Sequence, residues 1–292
     1  MAVISAWPLP EGIKSVEVNG YPMAYQESGS GTPLVLVHGS LNDYRCWNFQ
    51  IPAFTAHYRV LAVSLRHYFP EPWDGQGDDF SIPQHADDLA ELIRVLDLGP
   101  VHLLGHSRGG AVVLNVAARH PEVIRTLILE DASGLEALLP ETPESRAMAV
   151  EGRKLHERLA ADLAKGERET ALRAYVDALS WPGRWDELTP ERKSSFFDNV
   201  ATAIRPEARP SLSRETIGKF RFPILMLTGE TSPDRYGQML RAMRDCLPGS
   251  VGEPTIIPNA AHGMNRDNPK AFNAAVLGFF VRPIIRPTQI GL

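Results

Sequence analysis

The sequence predicts an α/β fold: a mostly parallel sheet with helices on both faces. Three observations carry this. Short continuous apolar runs recur along the chain, helical periodicity fills the gaps between them, and one long helical stretch interrupts the alternation late in the chain.

The elements follow in order. Residues 14–27 alternate around Asn19-Gly20, which predicts an antiparallel hairpin. Next come PLVLVHG (33–39), RVLAVSL (59–65), VHLLGHS (101–107), RTLILED (125–131), FPILMLTG (222–229) and EPTIIPN (253–259). Runs of this length, bounded by turn residues, suit strands buried on both faces. HADDLAELIRVLDLG (85–99), AVVLNVAARHPE (111–122) and PKAFNAAVLGFFV (269–281) carry apolar residues at helical spacing. Between 135 and 219 there is no strand-like run, only Arg- and Glu-rich helical pattern. We expect a core of 1–134 and 220–292, and a helical cap at 135–219 serving as a lid over a pocket.

Composition narrows the function. Of 292 residues, 43% are hydrophobic and 22% charged, enough for a sizeable core. The formal net charge of −5, without a clustered Lys/Arg stretch, argues against a nucleic-acid partner. Two cysteines, Cys46 and Cys246, are too few for a disulfide framework and lack zinc-type spacing. The first residues, MAVISAWPLPEG, lack a basic segment, and no window approaches the ~18 apolar residues of a membrane span. A soluble, cytoplasmic protein is expected, without membrane partner; a homodimer is left open. No HExxH motif or His/Asp cluster occurs, so neither metal nor cofactor is expected.

LLGHSRGG (103–110) carries the chemistry. Its G-x-S-x-G core, Gly105 to Gly109, lies between a predicted strand and a predicted helix. A nucleophilic serine needs a tight, strained turn that exposes its hydroxyl, and flanking glycines let strand and helix crowd together. The helix behind it aims its N-terminus at Ser107, which favours negative charge there. A glycine-rich turn in an ordinary strand-to-helix link would share the pentapeptide, but the strand–turn–helix context favours the nucleophile.

The chain resembles the α/β-hydrolase superfamily, and the likeness extends beyond this elbow. LVLVHGS with the later Trp47 resembles the strand-three block. LAVSLRHY occupies the strand-four block, although Ser64 stands where an Asp is often found. IPNAAHGMNRDNPKAFNAAVLGFF resembles the closing block, in which a histidine precedes the last helix. These blocks cover nearly all of the chain outside 135–219, where the superfamily carries its variable cap.

The resemblance implies roles for particular residues. His262 would be the general base that takes the Ser107 proton. The oxyanion hole would come from the backbone N–H of Arg108 and from that of Ser40 or Leu41. The Arg108 side chain is expected to pair with a nearby acid, substrate-carboxylate binding being the alternative. His38 and His106 read as structural; His57, His85, His120 and His156 read as helix or surface positions.

The third member is less direct. Most relatives place the acid after strand seven, three residues beyond a glycine; Gly229 plus three is Ser232, which cannot serve. Glu230 is expected to face away from the histidine loop. Some relatives, including certain dehalogenases and a lactone-cleaving branch, place the acid after strand six, about two dozen residues beyond the nucleophile. That position holds Asp131. Asp131 is the expected acid, with Asp234 and Glu130 as alternatives.

The expectation is a serine hydrolase acting on a small, apolar carboxylic ester or lactone through an acyl-enzyme. Carbon–carbon bond hydrolysis, cofactor-free haloperoxidase chemistry and a non-catalytic ligand-binding receptor are the alternatives. Trp181, Trp185, Phe196 and Phe197 in the insertion are candidates either for the substrate pocket or for the cap's own core.

Overall fold

A computed structural model describes residues 7–204, 210–249 and 251–281. The expected spans of core and cap therefore extend at 1–6, 205–209, 250 and 282–292 outside the described residues. Among the described residues eight strands are present: β1 Ile13–Val18, β2 Tyr21–Ser28, β3 Pro33–Val37, β4 Arg59–Val63, β5 Val101–His106, β6 Ile124–Glu130, β7 Ile224–Gly229 and β8 Thr255–Ile257. They form one sheet in the order β1-β2-β4-β3-β5-β6-β7-β8. β1 with β2 and β2 with β4 are antiparallel; the remaining pairs are parallel. Asn19 (φ 47°) and Gly20 (φ 73°) make the β1–β2 turn, both with positive φ as a type I′ hairpin requires.

Twelve α-helices accompany the strands among the described residues. They are α1 Ile51–Phe54, α2 Ile82–Val95, α3 Arg108–Arg119, α4 Pro143–Ala164, α5 Arg168–Leu179, α6 Arg184–Glu187, α7 Pro190–Asp198, α8 Ala201–Ile204, α9 Arg214–Ile217, α10 Asp234–Arg244, α11 Met264–Asp267 and α12 Pro269–Phe280. Their starts follow ordinary capping. Ser81 accepts from the Gln84 N–H at 3.2 Å, Thr142 from Ser145 at 3.2 Å, and Asn268 from Ala271 at 3.2 Å. α4 to α9 all fall between β6 and β7 in sequence, where the strand pattern lapses.

The period of two along each strand divides the core into layers. Val35, Val37, Leu61 and Val63 point into one cluster, which α2, α3 and α10 cover with Leu89, Val112 and Leu240. Leu34, Leu36, Val60 and Ala62 point into the other, closed by Phe54 of α1 and Phe272 and Val276 of α12. Each such aliphatic side chain contributes ~1.5–3 kcal/mol by leaving water. Two-sided burial therefore anchors the strands, and it leaves the residues just beyond their carboxyl ends free to form a site.

Candidate active site

The expected strand runs overshoot the observed strands by one or two residues at several carboxyl ends, and the overshoot is where the site begins. Ser107 follows β5 with φ 52° and ψ −117°, a conformation that costs an ordinary residue ~1–3 kcal/mol. Local hydrogen bonds hold it there. The Ser107 N–H donates to the Glu130 carbonyl at 2.9 Å, and its carbonyl accepts from the N–H groups of Ser133 (3.1 Å) and Ala111 (3.3 Å). Two glycines permit the crowding. A Cβ on Gly105 would lie 2.5 Å from the Gly109 carbonyl oxygen, and one on Gly109 only 2.3 Å from that of His38.

β5 and β6 run parallel with His106 opposite Glu130, so Ser107 and Asp131 emerge side by side at one sheet edge. Asp131 is fully buried with φ 40°, and its N–H donates to the Leu227 carbonyl at 3.0 Å. His262, 5% exposed, lies between β8 and α11. Its Nδ1 meets Asp131 Oδ2 at 3.1 Å. The Tyr236 ring stacks on the imidazole, with centroids 4.3 Å apart and planes 15° from parallel. From the other side, His106 Nε2 lies 2.8 Å from the His262 carbonyl oxygen, to which it donates. With the His262 Nδ1 proton directed at Asp131, Nε2 keeps its lone pair. Ser107 and His262 line the same small cavity.

The electrostatics favour an uncharged base. Burial pushes the His262 imidazole far below its usual range, and the Arg235 cation adds to this. Burial raises the Asp131 carboxyl, while hydrogen bonds from Ser232 and Thr228 act the other way. Neutral His262 is the form that can accept a proton.

The alternative acids lie elsewhere. Asp234 opens α10 with its side chain 78% exposed, where it accepts from Gln238 Nε2 at 2.7 Å. Glu130 is buried; its Oε1 accepts from the Asn265 N–H at 3.2 Å, and Oε2 has no partner among the described residues. Ser232 Oγ donates to Asp131 Oδ2 at 2.6 Å and accepts from the Gly229 N–H at 3.1 Å. Glu230 differs from expectation: its Oε2 accepts from the Asn259 N–H at 2.7 Å, so it braces the loop that leads to His262.

Ser40 and Leu41 lie in a tight turn after β3, with Leu41 at φ 58° and the Asn42 N–H donating to the Gly39 carbonyl at 3.3 Å. His38 anchors this turn, its Nδ1 donating to the Gly39 carbonyl at 2.9 Å and its Nε2 accepting from the Leu65 N–H at 3.1 Å. The Arg108 guanidinium is buried over the Phe80 ring, with Nη2 2.9 Å from His85 Nδ1. His85, at a helix position on α2 as expected, is fully buried behind the elbow, where α2 packs against α3.

Among the described residues, two cavities share lining residues near Ser107. The smaller, about 80 Å³, holds Ser107, His262 and Phe196; the larger, about 510 Å³, is lined by Arg108, Leu139, Met148 and Met239. Ser40 and Tyr175 border both. Ser107 and His262 line the smaller cavity and not the larger. Of the four candidate aromatics, Phe196 lines the small cavity, and Trp185, Phe197 and Trp181 lie against residues of the insertion itself. Trp185 is fully buried and donates to Glu169 Oε1 at 3.3 Å, Phe197 packs edge-on to Trp185, and Trp181 lies under the Arg184 guanidinium. Their apolar area is used within the insertion. Sequence reading missed Tyr236 and the arginines of the small cavity, Arg184, Arg192 and Arg266, because no local pattern marks residues that come together only through folding.

Among the described residues, no group of three or more His, Cys, Asp or Glu could hold a metal ion, and no helix is long and apolar enough to cross a membrane.

A strained serine elbow at the carboxyl edge of a mostly parallel sheet, with a buried histidine beside it, defines a class. The profile of the alpha/beta hydrolase family matches residues 34–275. The chain belongs to that family and is an enzyme of the α/β-hydrolase type. It is 26% identical over 268 residues to the (E)-2-((N-methylformamido)methylene)succinate hydrolase of Acinetobacter baylyi, covering 86% of this chain and 91% of the relative. It is 24% identical over 288 residues to the 2-hydroxy-6-oxo-6-(2'-aminophenyl)hexa-2,4-dienoic acid hydrolase of Metapseudomonas resinovorans, covering 91% and 90%. The fold is similar to that of carboxylesterase CesB (YbfK) from Bacillus subtilis, with a TM-score of 0.76, 19% identity and coverage of 95% and 94%.

Proposed function

We propose that the protein is a serine hydrolase that cleaves a carboxylic ester or lactone through an acyl-enzyme, with Ser107 as nucleophile, His262 as base and Asp131 as acid. The observation that carries this reading is the 3.1 Å contact of His262 Nδ1 with Asp131 Oδ2, beside a cavity that Ser107 and His262 share. His262 Nε2 takes the hydroxyl proton as Ser107 Oγ attacks the carbonyl carbon, and Asp131 stabilises the imidazolium. The tetrahedral oxyanion is received by the Arg108 N–H and by an N–H of the Ser40–Leu41 turn, each contributing ~3 kcal/mol. His262 gives its proton to the leaving oxygen, the acyl-enzyme forms, and water attacks by the same route in reverse.

A serine at the elbow supports ester chemistry over the halide and epoxide chemistry of relatives that carry Asp there. The Acinetobacter relative is named for hydrolysis of a substituted succinate, which supports a small-molecule substrate. Helices α4 to α9 are read as the lid. Arg45 Nη2 to Asp198 at 2.8 Å and Arg184 Nη2 to Asp267 at 2.6 Å tie these helices to the core. The two free cysteines, Cys46 and Cys246, fit a reducing, cytoplasmic setting. Turnover of a p-nitrophenyl ester, together with labelling by a fluorophosphonate, tests the proposal with Ser107→Ala as control. Label and turnover in wild type and loss of both in Ser107→Ala are expected; a wild type that is inert to both contradicts it.

A further inference from the structure

The smaller cavity is cationic. Three arginines, Arg184, Arg192 and Arg266, line it with a single carboxylate, Asp267, next to Ser107 and His262. Arg184 is already engaged by Asp267 at 2.6 Å and Glu187 at 3.1 Å. Arg192 and Arg266 form no ion pair among the described residues, and their partners are neutral. Arg192 donates to the Asn42 side-chain oxygen and to Ser195 Oγ (3.0 Å), with its guanidinium 4.0 Å from the Phe196 centroid. Arg266 reaches the Cys46 carbonyl at 3.4 Å and lies 5.2 Å from the Phe49 centroid.

The acids that act on these cations are committed elsewhere. Asp43 accepts from Arg45 Nε (2.8 Å) and Nη2 (2.7 Å) and from Asn199 Nδ2 (2.7 Å), while Asp267 holds Arg184. Burial lowers both guanidinium groups, Arg192 to about 9, with the Arg266 cation adding to the burden on Arg192. Both arginines are partly buried, and cations partly withdrawn from water without a counter-charge are stabilised when an anion joins them. Guanidinium forks match carboxylates, and the cavity's 80 Å³ far exceeds the ~10–15 Å³ that one water needs.

We propose that Arg192 and Arg266 bind a carboxylate carried by the substrate, so that the enzyme acts on esters or lactones whose acyl part bears a short acidic chain. The carboxylate lies in the small cavity, the scissile carbonyl at Ser107, and the remaining apolar part in the 510 Å³ chamber. This deepens the serine-hydrolase reading and rests on it for the position of the carbonyl.

Two measurements separate the two claims. Calorimetric titration of Ser107→Ala protein with glutarate reads the anion site without the reaction. Saturable binding near ~1 mM or tighter is expected, weakened about 10-fold or more when Arg192→Gln or Arg266→Gln is added. Hydrolysis of methyl hydrogen glutarate against methyl pentanoate reads the preference. Wild type should favour the acidic ester in kcat/KM by about 10-fold or more, and that ratio should collapse in either arginine variant. Failure of glutarate to bind Ser107→Ala, or equal cleavage of both esters by wild type, overturns the anion site whether or not the arginine variants fold. Intact glutarate binding without cleavage of any ester instead overturns the serine-hydrolase reading alone.

Discussion

Ser232 Oγ donates to Asp131 Oδ2 at 2.6 Å, and the same carboxylate oxygen meets His262 Nδ1 at 3.1 Å. Ser232, after β7, thus donates to the carboxylate that follows β6, the acid of the proposed triad. A carboxylate at 232 would lie against Asp131, where two buried like charges oppose each other's ionisation. A hydroxyl is compatible, because it donates to the anion.

Removing that donor is expected to weaken catalysis without abolishing it. A hydrogen bond to a charged group is worth ~1.5–3 kcal/mol, so Ser232→Ala should lower kcat/KM roughly 10- to 100-fold with the fold intact. Ser232→Asp should be worse than Ser232→Ala. Steady-state kinetics on one ester checks the order, and an unchanged Ser232→Ala would remove this role.

The acid side of the pH profile follows from the Asp131–His262 pair. The His262 pKa lies below the ordinary 6.5 through burial first and Arg235 second. Activity needs both the neutral imidazole and the Asp131 carboxylate, whose pKa burial raises to about 7, so kcat/KM should fall on the acid side as the Asp131–His262 pair takes up a proton. Arg235→Leu removes the second cause and should shift that limb to higher pH. A pH–rate series on both proteins measures the displacement; a shift to lower pH contradicts it.

Tyr236 is expected to position the base. Its ring stacks on His262 with centroids 4.3 Å apart, an arrangement worth ~0.5–1.5 kcal/mol. Tyr236→Leu should lower kcat by up to about 10-fold, with Tyr236→Phe close to wild type because the ring is retained. Equal losses in both variants would assign the effect to the hydroxyl instead.

Glu130 makes a stability prediction of defined sign. Burial raises its carboxyl well above the usual 4.5, so the folded chain holds a proton that the unfolded chain releases. Stability from this group is fully present below pH 4.5 and is lost as pH rises toward the folded value. Glu130→Gln keeps an acceptor for the Asn265 N–H and has no proton to lose. Its melting temperature relative to wild type should therefore increase from pH 4.5 to pH 8, whereas a pH-independent difference would show Glu130 ionised in place.

How far the sequence reaches varies along the chain. The strands were legible because two-sided burial writes continuous aliphatic runs, and the hairpin because Asn19-Gly20 supplies two positive φ angles. Ser107 and His262 were legible through their blocks, and the position of Asp131 through its distance in sequence from Ser107. The hydroxyl link from Ser232, the stacking of Tyr236 and the facing of Arg192 toward Arg266 were not. Each joins residues from separate elements, and side-chain chemistry alone does not say which elements meet. Trp181, Trp185 and Phe197 illustrate the same limit: aromatic content shows that a helical insertion buries something, but packing decides whether that is substrate or itself.

Asp131 is the proposed acid that serves His262. Comparing kcat/KM of Asp131→Asn and Asp234→Asn on one ester tests this assignment most directly. Loss of about 10³–10⁴-fold in Asp131→Asn with Asp234→Asn near wild type is expected. The reverse pattern, or near-full activity in both variants, would contradict it.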